Sequence, residues 1–315
     1  MGTAPGEFEI IRDFFASAPQ GEGVTLGIGD DCALLQVPAE GQLATSMDTL
    51  VAGRHFPADA DPSAIAARAL RVNLSDLAAM NARPLWFTLA LTLPHSDAAW
   101  LQKFASGLLQ TAAQFGISLV GGDTTAGPLS ITIQVIGQTS RALRRDGAGP
   151  GDSVYVSGPL GAAAAALPVI LGEQKVLDAT RQQVERAYYF PEPQFATAAA
   201  ISELASSALD ISDGLLADLA HICKSSQVSA DIHLERLPVA PLAQTLAGER
   251  ALAMAAGGGD DYQLCFTVPQ EKVEALEKLD LPATAIGTLA SGDAQVCCWK
   301  NGKPWRAPSM GYRHF

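Results

Sequence analysis

Few of the features that announce a common function occur in this sequence. The five cysteines, Cys32, Cys223, Cys265, Cys297 and Cys298, are odd in number and contain no C-x-x-C pair, which argues against a disulfide framework or a zinc knuckle and fits a reducing cytoplasm. Positive charge is scarce. With 21 Lys and Arg against 33 Asp and Glu the chain carries −12, the wrong sign for a nucleic-acid surface. Long apolar runs are missing too: the most apolar stretch, around residues 162–171, is short and interrupted by Pro168, so no membrane span is expected. The opening MGTAPGEFEII has no basic segment leading into an apolar core, and glycine stands at position 6 where myristoylation asks for Ser or Thr. There is no G-x-x-x-x-G-K-[ST] loop, no H-R-D or D-F-G set, no G-x-S-x-G elbow and no H-x-x-x-H pair. The two commonest kinase architectures are thereby excluded, and a serine hydrolase is disfavoured.

What is present is a chain of 315 residues, 48% apolar and 17% charged, a length and composition that predict two domains with sizeable cores. Arg141–Asp152 (RALRRDGAGPGD) is dense in charge, Gly and Pro and reads as the connection, giving domains 1–150 and 151–315. Helices are expected over Glu7–Ala16, Ala64–Met80 and Ala98–Phe115, and strands at Val24–Ile28, Leu43–Met47, Pro84–Leu93, Ile117–Val120 and Leu129–Thr139. Beyond the connection come a strand at Ser153–Ser157, an alanine-rich helix, a helix around Ala179–Tyr188, and a strand at Gln263–Val268.

The unusual residues are nearly all aspartates. Asp30 and Asp31 sit together in LGIGDDCALL; Asp48 follows an apolar strand and Asp123 follows Gly121-Gly122, both expected at strand ends. Asp76 lies on the apolar stripe of its helix, where a carboxylate needs a cation, donors or an arginine such as Arg71 or Arg83. Asp210 lies inside an apolar strand, while Ser212 or Asp213 is placed to cap the helix that follows. Asp260 and Asp261 close a run of three glycines. Converging carboxylates repel unless a cation joins them, and hard oxygen donors suit Mg²⁺ rather than zinc. Magnesium commonly shares its shell with substrate phosphates, so the residues alone point to Mg²⁺-dependent chemistry on phosphates.

The motifs GIGDDCALL, SMDTLVAGRHF, NLSDLAAMNARP, LVGGDTTAGPLSITIQVIG, DISDGLLADL, GGGDDYQL and terminal GYRHF, in this order, resemble the thiamine-monophosphate kinases of the PurM-like superfamily. The resemblance implies an α/β (α+β) two-domain fold: an N-terminal sheet-plus-helix domain that binds ATP and Mg²⁺ and dimerises through its sheet, and a C-terminal α/β domain completing the substrate site. It implies transfer of the ATP γ-phosphoryl to thiamine monophosphate. By motif, Asp30, Ser46, Asp48, Asp76, Asp123 and Asp210 would coordinate several Mg²⁺ ions, Asp213 a further one, and Met47 through its carbonyl. Gly122, Asp123, Arg145 and Ser212 would contact ATP; His55, Asp260 and Tyr312 would contact the thiamine substrate. The family commonly has Glu at the place of Asp260, often Trp or Phe at that of Tyr312, and in many members tyrosine at that of Ala105. A sister activity such as aminoimidazole ribonucleotide synthetase, or a non-catalytic nucleotide or metal sensor, is the alternative.

Overall fold

The structure is a computed structural model that describes residues 5–309, 311 and 312; Arg313, His314 and Phe315 of the terminal motif lie outside them. The chain divides into two compact units, one comprising the residues up to Leu77 together with Ala82–Ser140, the other Ala78–Asn81 and everything from Arg141 onward.

The first unit opens with a helix, α1 (Glu7–Ile10), that widens into a π-helical turn at Ile11–Phe15. Two short antiparallel strands, β1 (Val24–Leu26) and β2 (Leu34–Leu35), then bracket the Asp30–Asp31 loop. The sheet follows: β3 (Gln42–Val51), helix α2 (Pro62–Ala79), β4 (Arg83–Leu93), helix α3 (Ala98–Phe115), β5 (Ser118–Ala126) and β6 (Ser130–Thr139). Its strand order is β3-β6-β4-β5, with β4 and β5 parallel across the α3 crossover and the other pairs antiparallel. Helix α3 begins at Asp97, whose side chain accepts from the Ala99 and Trp100 N–H groups, and ends at Gly116 in the left-handed region.

Alternation decides the faces. In β6, Ile131, Ile133 and Val135 are fully buried, and their partners Leu50, Asp48 and Ser46 in β3 share that face. The Ser46 hydroxyl donates to Asp76 of α2 on the same face. On the opposite face Leu43, Met47 and Val51 are exposed, while the β1–β2 pair packs onto Leu85, Trp86, Val120 and Ile136.

The second unit is built on a seven-stranded sheet. In chain order its elements are β7 (Ser153–Val156), α4 (Ala162–Ile170), α5 (Asp178–Tyr189), α6 (Phe195–Ile201), β8 (Ser207–Asp210), α7 (Leu215–Ser226), β9 (Val228–His233), α8 (Pro241–Ala247), α9 (Ala251–Gly257), β10 (Leu264–Val268), α10 (Val273–Glu277), β11 (Thr284–Ser291), β12 (Val296–Lys300) and β13 (Lys303–Trp305). The strand order is β13-β12-β9-β11-β7-β10-β8. Its main core joins Val154, Val156 and Cys265 of the sheet to Leu215, Leu219 and Ile222 of α7. The segment read as a connection is hydrogen-bonded within this unit. Asp152 accepts from Gly149 N–H and the Ser206 hydroxyl, and the Arg145 carbonyl accepts from the Ser226 hydroxyl. Among the described residues no helix is long and apolar enough to cross a membrane.

Candidate functional site

In the first unit the predicted residues fall on neighbouring strands and on α2. Asp48 and Asp123 are not at strand ends, as their positions in the sequence suggested: Asp48 is inside β3 opposite Ile133, and Asp123 is inside β5 opposite Ala90. Both strands run on because backbone pairing with β6 and β4 continues through their polar residues, so the carboxylates project from paired backbone. Ser46 donates its hydroxyl to Asp76 Oδ2 at 2.6 Å. Asp48 N–H donates to Asn73 Oδ1 at 2.9 Å, and Asn73 Nδ2 donates to the Ala69 carbonyl. Asn73, fully buried in mid-helix, supports the Asp48 backbone and was passed over in sequence reasoning; a polar side chain three positions before Asp76 was its signal. Of the two arginines considered for Asp76, Arg83 reaches Glu22 and Gln138, and Arg71 donates to Gln114.

Asp30, Asp31, Gly122 and Asp123 line one cavity of about 370 Å³ with Phe8, Phe15 and Cys32. The hairpin explains the meeting: β1 and β2 pack on Trp86 and Val120, and Val120 leads directly into Gly121-Gly122-Asp123. Asp30 Oδ1 accepts from Asp31 N–H at 2.8 Å, which fixes the turn between them. His55 lies beyond β3 and accepts from Val51 N–H through Nδ1 at 3.0 Å, leaving Nε2 to carry the proton of the neutral ring. Met47 exposes its side chain on the opposite face from Ser46 and Asp48.

In the second unit three loops interlace. Asp210 ends β8 and is buried, paired in register with Leu264. From there Ile211–Gly214 forms a hub: Asp260 N–H donates to the Ser212 carbonyl at 2.7 Å, Tyr262 N–H to that of Ile211 at 2.8 Å, and Tyr312 N–H to that of Asp213 at 3.0 Å. Gly259 is required here, because its φ is +73° and a Cβ would meet the Ser212 and Asp213 carbonyl oxygens at 2.7 and 2.8 Å. Asp260 and Tyr262 also hold positive φ, +62° and +50°, the strained backbone that surrounding bonds must impose. Tyr262 donates its hydroxyl to Asp260 Oδ1 at 3.1 Å.

Neither Ser212 nor Asp213 caps α7. Gly214 takes the N-cap position with no side-chain bond, and the capping runs the other way. Asp218, in the first turn of α7, accepts on Oδ2 from Ser212, Asp213 and Gly214 N–H at 3.0, 3.1 and 3.0 Å. Burial pushes its carboxyl up to about 6, against those backbone donors, which favour the ionised form. Asp261 accepts from Gly161 N–H at the start of α4, and burial holds it well above the usual carboxylate range.

Every donor in these two sets is oxygen, which suits Mg²⁺. Among the described residues no three His, Cys, Asp or Glu side chains gather closely enough to hold an ion by themselves. Magnesium fits such a sparse set, since it keeps water and phosphate oxygens in its shell and needs only one or two carboxylates.

A first unit with a crossover-linked four-stranded sheet and a second built on seven mixed strands are matched by two domain families. Residues 29–139 fit the AIR synthase related protein, N-terminal domain, and residues 149–299 its C-terminal domain. These define the class. Within it, the thiamine-monophosphate kinase of Escherichia coli (strain K12) is 44% identical over 321 residues, covering 99% of both chains. The crystal structure of thiamine-monophosphate kinase from Stenotrophomonas maltophilia K279a superimposes with a TM-score of 0.82 at 42% identity, over 90% of this chain and 93% of that one. AaThiL complexed with AMPPCP and TMP gives 0.80 at 31% identity, over 91% and 92%. The chain belongs to the thiamine-monophosphate kinase family.

Proposed function

We propose that this chain transfers the γ-phosphoryl of ATP to thiamine monophosphate, giving thiamine diphosphate and ADP. The observation that carries the reading is the backbone meeting of three loops in the second unit, which ties Ser212 and Asp213 to Asp260 and Tyr312 through single hydrogen bonds. Full-length similarity to kinases of this name, and a relative that takes AMPPCP and TMP together, support it. The N-terminal unit would bind ATP and Mg²⁺ together with residues of the second, and the second unit, which takes in everything from Arg141 onward, would complete the substrate site.

Asp30, Ser46, Asp48, Asp76, Asp123, Asp210 and Asp213, with the Met47 carbonyl, would hold the magnesium ions. Mg²⁺ supplies charge neutralisation between two phosphate-bearing reactants. Gly122, Asp123, Arg145 and Ser212 orient the nucleotide. For the acceptor, Asp260 and Tyr312 of the second unit would offer a carboxylate and an aromatic face to the cationic thiazolium, and His55 of the first unit would contribute a hydrogen-bond donor. The acceptor phosphate, with a second pKa near 6, is largely ionised at neutral pH, so no side chain need act as a strong base. The residues do their work by alignment for direct in-line transfer.

The protein acts in the cytoplasm as a homodimer, joined through the open face of the first unit's sheet. The test of activity is chromatography of the products from purified protein, ATP, Mg²⁺ and thiamine monophosphate. Thiamine diphosphate formed only when all are present is expected; none at saturating substrates would overturn the assignment.

A further inference from the structure

We infer that Asp218 is a positioning residue that sets nucleotide binding in this kinase by holding the backbone of Ser212–Gly214. The inference rests on the kinase reading for its consequence, and on three hydrogen bonds for its geometry. One carboxylate oxygen, Oδ2, accepts from three consecutive N–H groups, all between 3.0 and 3.1 Å. Asp218 is 5% exposed and lies among the buried residues of α7 with Leu215 and Leu219. A carboxylate paid for by this much desolvation is retained where its acceptor strength is needed.

The segment it holds has both faces committed. The N–H groups of Ser212 and Asp213 point to Asp218, while their carbonyls accept from Asp260 and Tyr312. Loss of the acceptor leaves three buried or half-buried donors to find other partners, and the peptide planes must rotate to do so. Rotation carries the Ser212 and Asp213 carbonyls with it, and hence the two residues assigned to the thiamine substrate. The far end of the same helix is fixed as well, since Ser226 donates to the Arg145 carbonyl and accepts from Ala148 N–H. Helix α7 thus carries, at its two ends, the supports of Ser212 and of Arg145.

Amide hydrogen exchange on the unliganded full chain, with calorimetric titration of AMPPCP in Mg²⁺, tests this in Asp218→Ala and Asp218→Asn. In Asp218→Ala, exchange at 212–214 should accelerate by about tenfold or more with the β7 and β12 amides unchanged, and AMPPCP affinity should fall by about tenfold. Asp218→Asn keeps a neutral oxygen acceptor and should show roughly a threefold effect on both. A purely structural aspartate would lower the melting temperature without moving AMPPCP affinity of the folded protein. Should the alanine variant fail to fold, the graded effect in Asp218→Asn decides; exchange and affinity at wild-type values there would overturn the proposal. A wild-type chain that made no thiamine diphosphate would remove the kinase reading, while exchange at 212–214 would still report on Asp218.

Discussion

Asp48 and Asn73 are where the proposed magnesium role and a structural role meet at adjacent atoms. The Asp48 backbone is held by Asn73 Oδ1, whose own amide is tied to the Ala69 carbonyl one helical turn back, so this tie between β3 and α2 is made by a main-chain N–H that any non-proline residue at position 48 supplies. Exchanging the Asp48 carboxylate for the isosteric amide keeps that main-chain bond. Asp48→Asn should lower kcat by about 10²–10³-fold, the size of losing one charged contact to a transition state, with a melting temperature near that of wild type. Asn73→Ala should do the reverse, leaving Asp48 N–H without its acceptor and costing about 1–3 kcal/mol of stability by urea denaturation. Wild-type turnover in Asp48→Asn would take Asp48 out of the magnesium set. Asp218 belongs to the same lesson with the roles reversed, for its carboxylate acts on backbone and only through it on ligand.

At the scale of elements, apolar periodicity was a good guide wherever packing governed. Helix α3 is Ala98–Phe115 as the pattern reads, with Asp97 and Gly116 marking its ends, and β6 alternates as expected. The reading failed at β3 and β5, both longer than their apolar runs. Asp48–Val51 and Gly121–Ala126 fall outside those runs because Asp48 and the glycine pair interrupt the apolar pattern, yet neighbouring strands satisfy their backbone all the same. The hub at 211–214 was legible as a motif but not as geometry, since bonds to Asp260 and Tyr312 span roughly 50 to 100 residues of sequence and no local pattern encodes them. Asp218, with the sequence signal of an acidic residue in a first helical turn, was the element-level clue left unused. Gly122 shows why the strand tolerates only glycine there. A Cβ at this position would collide with the Leu89 backbone across the β4–β5 pair, whereas one at Gly121 would meet nothing within 4 Å. Gly122→Ala should cost about 1–3 kcal/mol as overpacking and weaken AMPPCP binding. Gly121→Ala should unfold at the wild-type temperature; equal melting of the two variants would contradict this account of the β4–β5 contact.

For the whole molecule the open question is what covers the outer face of β3. That strand ends the sheet order of its unit, and Leu43, Met47 and Val51, with exposures of 46%, 62% and 36%, lie on one side of it. Thr45 and Thr49 alternate with them, bonded to Gln134 and Thr132 of β6, so these polar groups on the face already have partners within the sheet. An apolar edge of this kind invites pairing, and a second copy related by a twofold axis would cover it with the same residues. Leu43 is not among the residues proposed to hold magnesium and is the position to test. Burial of one leucine is worth roughly 1.5–3 kcal/mol, and twofold symmetry counts each substitution twice. Leu43→Glu therefore forfeits roughly 3–6 kcal/mol of association, which raises the dimer dissociation constant by about 10²–10⁴-fold. Charge works in the same direction: each chain carries −12, so dimerisation brings like charges together and should strengthen as salt screens them. Sedimentation equilibrium across a salt series should find a wild-type dimer that tightens with ionic strength and a Leu43→Glu chain that stays monomeric at micromolar concentration. A monomeric wild type, or a variant that dimerises as wild type does, would show that the face of β3 is not the interface.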